Sequence, residues 1–143
     1  MNTNPPRQAV PKPANQSVVI LACSGCSSAG ELADLTARRL QQLGVAKMSC
    51  LAGVGGHIPS ITATVRDAPG ILMIDGCPLE CGANVLRLAG ISKFQHLKLH
   101  AQGIRKNGHP VDAATVERLA AAAARLLEDV DPARPQRRQM PLA

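Results

Sequence analysis

The sequence predicts a single three-layer α/β domain, a four-stranded, mostly parallel sheet with helices on both faces. Three observations carry that expectation. Short uninterrupted apolar runs, such as Ser17-Val18-Val19-Ile20-Leu21-Ala22 and Gly70-Ile71-Leu72-Met73-Ile74, fit strands covered on both sides. Stretches with helical apolar spacing follow each run, in the order β-α-β-α-β-α-β-α. The connections are short, which specifies right-handed crossovers and parallel neighbours. With 143 residues and an apolar share of 45%, the chain can bury one proper core. Phe94 is the only aromatic residue, so that core must be aliphatic.

Residues 1–16 are rich in Pro, Asn and Gln without apolar periodicity and are expected to be a disordered tail. The domain proper is expected over residues 17–130. Its first strand, residues 17–22, ends at Cys23-Ser24-Gly25-Cys26-Ser27-Ser28-Ala29-Gly30. Ser28 and Glu31 have capping-box spacing, which predicts a helix start there. Leu32, Leu35, Leu40 and Leu43 give it an apolar stripe, and Gly44 is a natural stop.

A second strand is expected from Val45 to about Cys50, followed by a glycine-rich loop over residues 51–57. Pro59 opens a helix bearing Ile61 and Val65, which stops before Pro69-Gly70. The third strand runs into Asp75-Gly76-Cys77-Pro78-Leu79-Glu80-Cys81-Gly82, where Pro78 suits the first turn of a helix closed by Gly90. Residues 94–100 read as a fourth strand, with Leu97 and Leu99 alternating against polar neighbours. Asp112 is placed to cap a last helix along Val116, Leu119, Ala123, Leu126 and Leu127. Residues 131–143 are expected to be a basic, disordered tail.

This order of elements has a chemical consequence. Cys23 follows the first strand, Cys50 closes the second and Cys77 follows the third, with Cys81 one helical turn beyond. In a parallel sheet those positions share the carboxyl edge, where doubly wound folds bind their ligands. Thiols beside a helix N-terminus face the positive end of its dipole, which favours thiolate. Four thiolates at one point make a soft site suited to zinc or to an iron–sulfur cluster. His57, beside Gly55-Gly56, is a candidate additional ligand or a simple helix cap. Asp75 either orients a ligand from behind or is satisfied by backbone N–H groups of its own turn. His96, His100 and His109 receive no role.

The strand ending in Asp75-Gly76-Cys77-Pro78, with Cys81 after it, resembles the DGC-domain family, described as putative zinc-binding proteins. The likeness takes in Ala22-Cys23-Ser24-Gly25, Gly30-Glu31-Leu32-Ala33, residues 50–56 and residues 103–108. It covers roughly residues 18–108. What the resemblance implies is four chelating cysteines, which map onto Cys23, Cys50, Cys77 and Cys81. Cys26 departs from that pattern and creates Cys23-Ser24-Gly25-Cys26, a spacing that also reads as redox-active. Whether Cys23 or Cys26 is the ligand stays open at this point.

The expectation is therefore a cytoplasmic zinc-binding protein used in metal binding, sensing or delivery. The alternative is a thiol-redox or electron-transfer protein using Cys23 and Cys26 or an iron–sulfur cluster. The residues do not choose between binding and catalysis. Five cysteines without a secretory leader argue for metal or thiol chemistry in a reducing compartment. No apolar run reaches the ~20 residues of a membrane span. Nucleic acid is disfavoured as a partner. Of the net charge of +6, Arg7, Lys12, Arg134, Arg137 and Arg138 against Asp131 put +4 in the two ends. There is also no aromatic platform on which bases would stack.

Overall fold

A computed structural model of the chain describes residues 18–131. The expected tail over residues 1–16, and that over residues 131–143 apart from Asp131, lie outside the described residues. Strands β1 (Val18–Ala22), β2 (Lys47–Met48), β3 (Gly70–Asp75) and β4 (Gln95–Lys98) form one sheet in the order β2-β1-β3-β4, parallel throughout. Helices α1 (Ser28–Gln42), α2 (Leu51–Gly55), α3 (Pro59–Asp67), α4 (Cys81–Leu88) and α5 (Ala113–Leu126) complete it, with a 3-10 turn at Leu99–Gln102. The fold class matches the expectation from sequence.

Alternation along the central strands divides the core into two layers. Val18, Ile20, Ala22, Leu72 and Ile74 pack against α1 and α5 through Leu32, Leu40, Leu119 and Ala123. Val19, Leu21, Ile71 and Met73 face the other way, against Val54, Val65 and Leu86 of α2, α3 and α4. β1 and β3 are buried at every position because both faces are covered. That burial on both sides is why their sequences read as unbroken apolar runs rather than as alternation.

Several boundaries differ from the sequence reading, each for a local reason. The cap of α1 is Ser27, whose hydroxyl accepts from the Gly30 N–H at 3.1 Å; Ser28 is the first helical residue. Ser28 is released to accept from the backbone N–H of His109 at 3.3 Å. The stripe of α1 ends early, since Leu43 is 50% exposed at the C-cap. β2 keeps only two residues, and residues 51–55 form a short helix instead of a loop. Cys50 explains that helix, because its sulfur accepts from the Gly53 N–H at 3.3 Å and so serves as N-cap. The helix after β3 starts at Cys81 rather than at Pro78, which lies in the preceding turn. Cys81 is thus the first helical residue and not one turn in.

The Asp112 cap on α5 forms as the sequence suggests, accepting from Thr115 N–H at 2.8 Å. That bond holds its carboxyl below the usual range. Asp112→Ala is expected to lower the midpoint of chemical denaturation, with the two-state slope unchanged. Among the described residues, no helix is long and apolar enough to cross a membrane.

Candidate functional site

The register of β1 with β3 builds the site. Ala22 pairs with Ile74, and the Cys23 N–H donates to the Ile74 carbonyl at 2.9 Å. Cys23 therefore leaves the sheet beside Asp75 and Gly76. Its sulfur accepts from the Gly76 N–H at 3.3 Å. Gly76 sits directly under the start of α1: a Cβ there would lie 2.7 Å from the Ala29 carbonyl carbon and oxygen and 2.9 Å from the Gly30 nitrogen. Only a residue without a side chain lets the first strand's helix pack over the third strand's end. The same is true from the other side, where a Cβ on Gly30 would meet the Gly25 carbonyl oxygen at 2.5 Å.

A cavity of about 360 Å³ opens at this carboxyl edge. Cys23, Cys26, Cys77 and Cys81 all line it, with Leu51, Leu79, Glu80 and Lys106 among the other walls. Leu79 is 64% exposed at the mouth. Cys26 and Cys81 are exposed, whereas Cys23 and Cys77 are half-buried, and all four are free thiols. Burial pushes the Cys23 thiol above its ordinary range; the N–H groups of Gly76 and Gly25 act against this, while nearby Asp75 and Cys77 add to it.

Cys50 and His57 are not among the lining residues. Cys50 stands at the end of the neighbouring strand, as the topology requires, yet its sulfur is turned to α2. His57 occupies the link after α2, with φ of 55° in the left-handed region, and its N–H donates to the Val54 carbonyl at 3.0 Å.

Asp75 is 1% exposed and fully engaged. Its Oδ1 accepts from Gly82 N–H at 2.8 Å and its Oδ2 from Ala83 N–H at 3.0 Å. These are the second and third residues of α4, so the carboxylate caps that helix from the adjacent strand end. The expected donors in its own turn are not the ones it uses. A third partner comes from β4: His96 Nε2 lies 2.8 Å from Oδ2. His96, assigned nothing from sequence, is the residue that reading missed. Lys106 was missed too. It reaches the cavity because the loop after the 3-10 turn docks on α1, with the Ala29 N–H donating to its carbonyl at 3.1 Å.

The donor chemistry suits a soft metal, four thiols and no hard oxygen cage. As they stand, the side chains are not gathered on one point: among the described residues no three of His, Cys, Asp or Glu lie close enough together to hold one ion. Rotation about the cysteine side chains is needed to bring sulfurs to a common centre. In the metal-free, reduced protein, the exposure of Cys26 and the raised pKa of Cys23 give a clear order of reactivity. Alkylation near neutral pH is expected to label Cys26 well before Cys23. Labelling of Cys23 should accelerate only as the pH climbs beyond the ordinary thiol range, which peptide mapping by mass spectrometry checks.

The family model described as DGC domain matches residues 19–123. The chain is 40% identical over 110 residues to the anaerobic and virulence modulator AnvM of Pseudomonas aeruginosa. That alignment covers 76% of this chain and 84% of the relative. No solved structure matches the chain.

Proposed function

Since the chain belongs to the DGC-domain family, we propose that it is a cytosolic regulatory protein whose cysteine cavity binds zinc and reports on it. The observation that supports this most is the shared cavity: two separate segments, the loop after β1 and the turn from β3 into α4, deliver Cys23, Cys26, Cys77 and Cys81 to one wall system at the carboxyl edge. The domain has two aliphatic core layers of its own. It does not depend on a metal to gather a fold, unlike small zinc-stapled domains. A metal here therefore serves binding, sensing or delivery. The relative's name, a modulator, supports a regulatory role over a catalytic one.

In this reading Cys23, Cys77 and Cys81 hold the metal with Cys26 as the fourth thiolate, and Cys50 and His57 stand outside. The lining of the cavity favours this set over one that includes Cys50. Bound zinc supplies a redox-inert tetrahedral centre that ties the loop after β1 to the loop after β3. The N–H of Gly76 stabilises the Cys23 thiolate, and Leu79 and Leu51 flank the thiols with apolar surface.

A second reading is favoured by the pairing of an exposed Cys26 with a half-buried Cys23 three positions earlier in one cavity. Such a pair suits reversible disulfide formation with an external disulfide as oxidant. Elemental analysis and the absorption spectrum of anaerobically purified protein decide between them. One colourless zinc per chain is expected. A brown chromophore would assign an iron–sulfur cluster, and metal-free protein with a reversible Cys23–Cys26 disulfide would assign redox work.

A further inference from the structure

We propose that the face of β4 turned towards α4 is a brace for the cysteine loop, with His96 a positioning residue that acts on Cys77 and Cys81 through Asp75. The proposal rests on that loop being the functional site, and deepens it. Leu97 points into the core with α1 and α5. The alternate positions Phe94, His96 and Lys98 therefore share the opposite side of the chain. Each of the three meets a group on α4 or on the segment leading into it.

The Arg87 guanidinium of α4 lies 5.8 Å from the Phe94 ring centroid. The Phe94 ring meets His96 edge-on, with centroids 5.8 Å apart. His96, 12% exposed, reaches Asp75, and Lys98 Nζ lies 2.7 Å from Glu80 Oε1. The register fixes this match, since Met73 pairs with His96 and Asp75 with Lys98.

The loop that the brace holds carries local bonds of its own, from the Glu80 N–H to the Cys77 carbonyl at 3.1 Å and from the Asn84 side-chain amide to the Leu79 carbonyl at 3.5 Å. Glu80 occupies the N-cap position of α4 yet makes no side-chain cap bond. Its φ of 49° is left-handed, a conformation that strains a residue other than glycine. The cap is supplied by Asp75 instead, on Gly82 and Ala83, next to Cys81. Without His96, Asp75 Oδ2 keeps a single protein donor, and a buried carboxylate short of a partner reorients or draws in water. Either change loosens the first turn of α4, and with it the span from Cys77 to Cys81. Lys98 anchors the middle of the same span through Glu80.

The test uses the reduced, metal-free full chain, with alkylation by iodoacetamide followed at each cysteine separately by mass spectrometry. In His96→Ala, the rates at Cys77 and Cys81 are expected to change by about fivefold, the factor set by one hydrogen bond of ordinary net strength. Cys26 and Cys50, which the brace does not touch, should stay within about twofold of the parent. His96→Gln, whose amide can donate to Asp75, should restore the parent rates. Lys98→Ala should move Cys77 and Cys81 in the same direction by less.

Unchanged rates at Cys77 and Cys81 in His96→Ala overturn the proposal, and so does an equal change at every cysteine, which would mean general loosening. Should His96→Ala fail to fold, Lys98→Ala decides alone: parent-like rates at Cys77 and Cys81 overturn it. No metal enters this measurement. A chain found to bind no zinc would therefore refute the zinc reading and leave this result standing.

Discussion

Cys77→Ser and Cys81→Ser are each expected to reduce bound zinc by more than about tenfold, measured as zinc per chain after dialysis against a weak chelator. The physical reason is that both flank the one turn that joins β3 to α4, and both line the cavity. A serine hydroxyl keeps the size of the side chain but not its softness, so the fold persists while the donor is lost. Cys26→Ser should reduce zinc less, because Cys26 is exposed on the loop before α1, whereas Cys81 is held as the first residue of α4 and Cys77 is half-buried. Cys50→Ser should leave zinc unchanged, since that sulfur caps α2 and is not among the residues lining the cavity. Equal retention of zinc in the Cys26, Cys77 and Cys81 variants would remove the ligand assignment.

Gly76→Ala is expected to lower stability strongly. The added carbon would stand 2.7 Å from backbone atoms of Ala29, inside any allowed contact. Backbone cannot swing aside as a side-chain tip does, so either α1 or the end of β3 must move. Overpacking of this kind costs about 3 kcal/mol or more when no flexible atom can yield. For a domain of this size the fall in Tm should exceed about 10 °C, read by circular dichroism of the metal-free protein. The contrast is Gly108→Ala, where nothing lies within 4 Å and the only cost is the positive φ of 67°. A Gly76→Ala protein as stable as the parent would mean that α1 does not rest on the glycine of this motif.

Much of this was legible in the sequence, and the parts that were not share one cause. The buried strands β1 and β3 announce themselves because covering on both faces demands unbroken apolar residues. The Asp112 cap and the stops at Gly44 and Gly90, both with positive φ, are local chemistry and are read locally. The shared edge of Cys23, Cys26, Cys77 and Cys81 follows from strand order alone. The role of His96 does not, because it depends on β4 lying beside β3 and on a register placing it two residues short of Asp75. A histidine on a polar alternation looks like any solvent-facing residue until its neighbour is known. Cys50 shows another thing that position along the chain does not carry: it stands at the edge as expected, but its sulfur accepts from the Gly53 N–H, a choice made by the backbone of residues 51–53. Helix starts slipped by one to three residues at Ser27 and Cys81 because several residues near each start could serve as caps.

X-ray absorption at the zinc edge, recorded on the reconstituted full chain and on Cys50→Ser, tests the central claim most directly. A first shell of sulfur at about 2.3 Å, the same in both proteins, is the expected result. A shell dominated by nitrogen or oxygen, or a sulfur shell that shrinks when Cys50 is replaced, would contradict it.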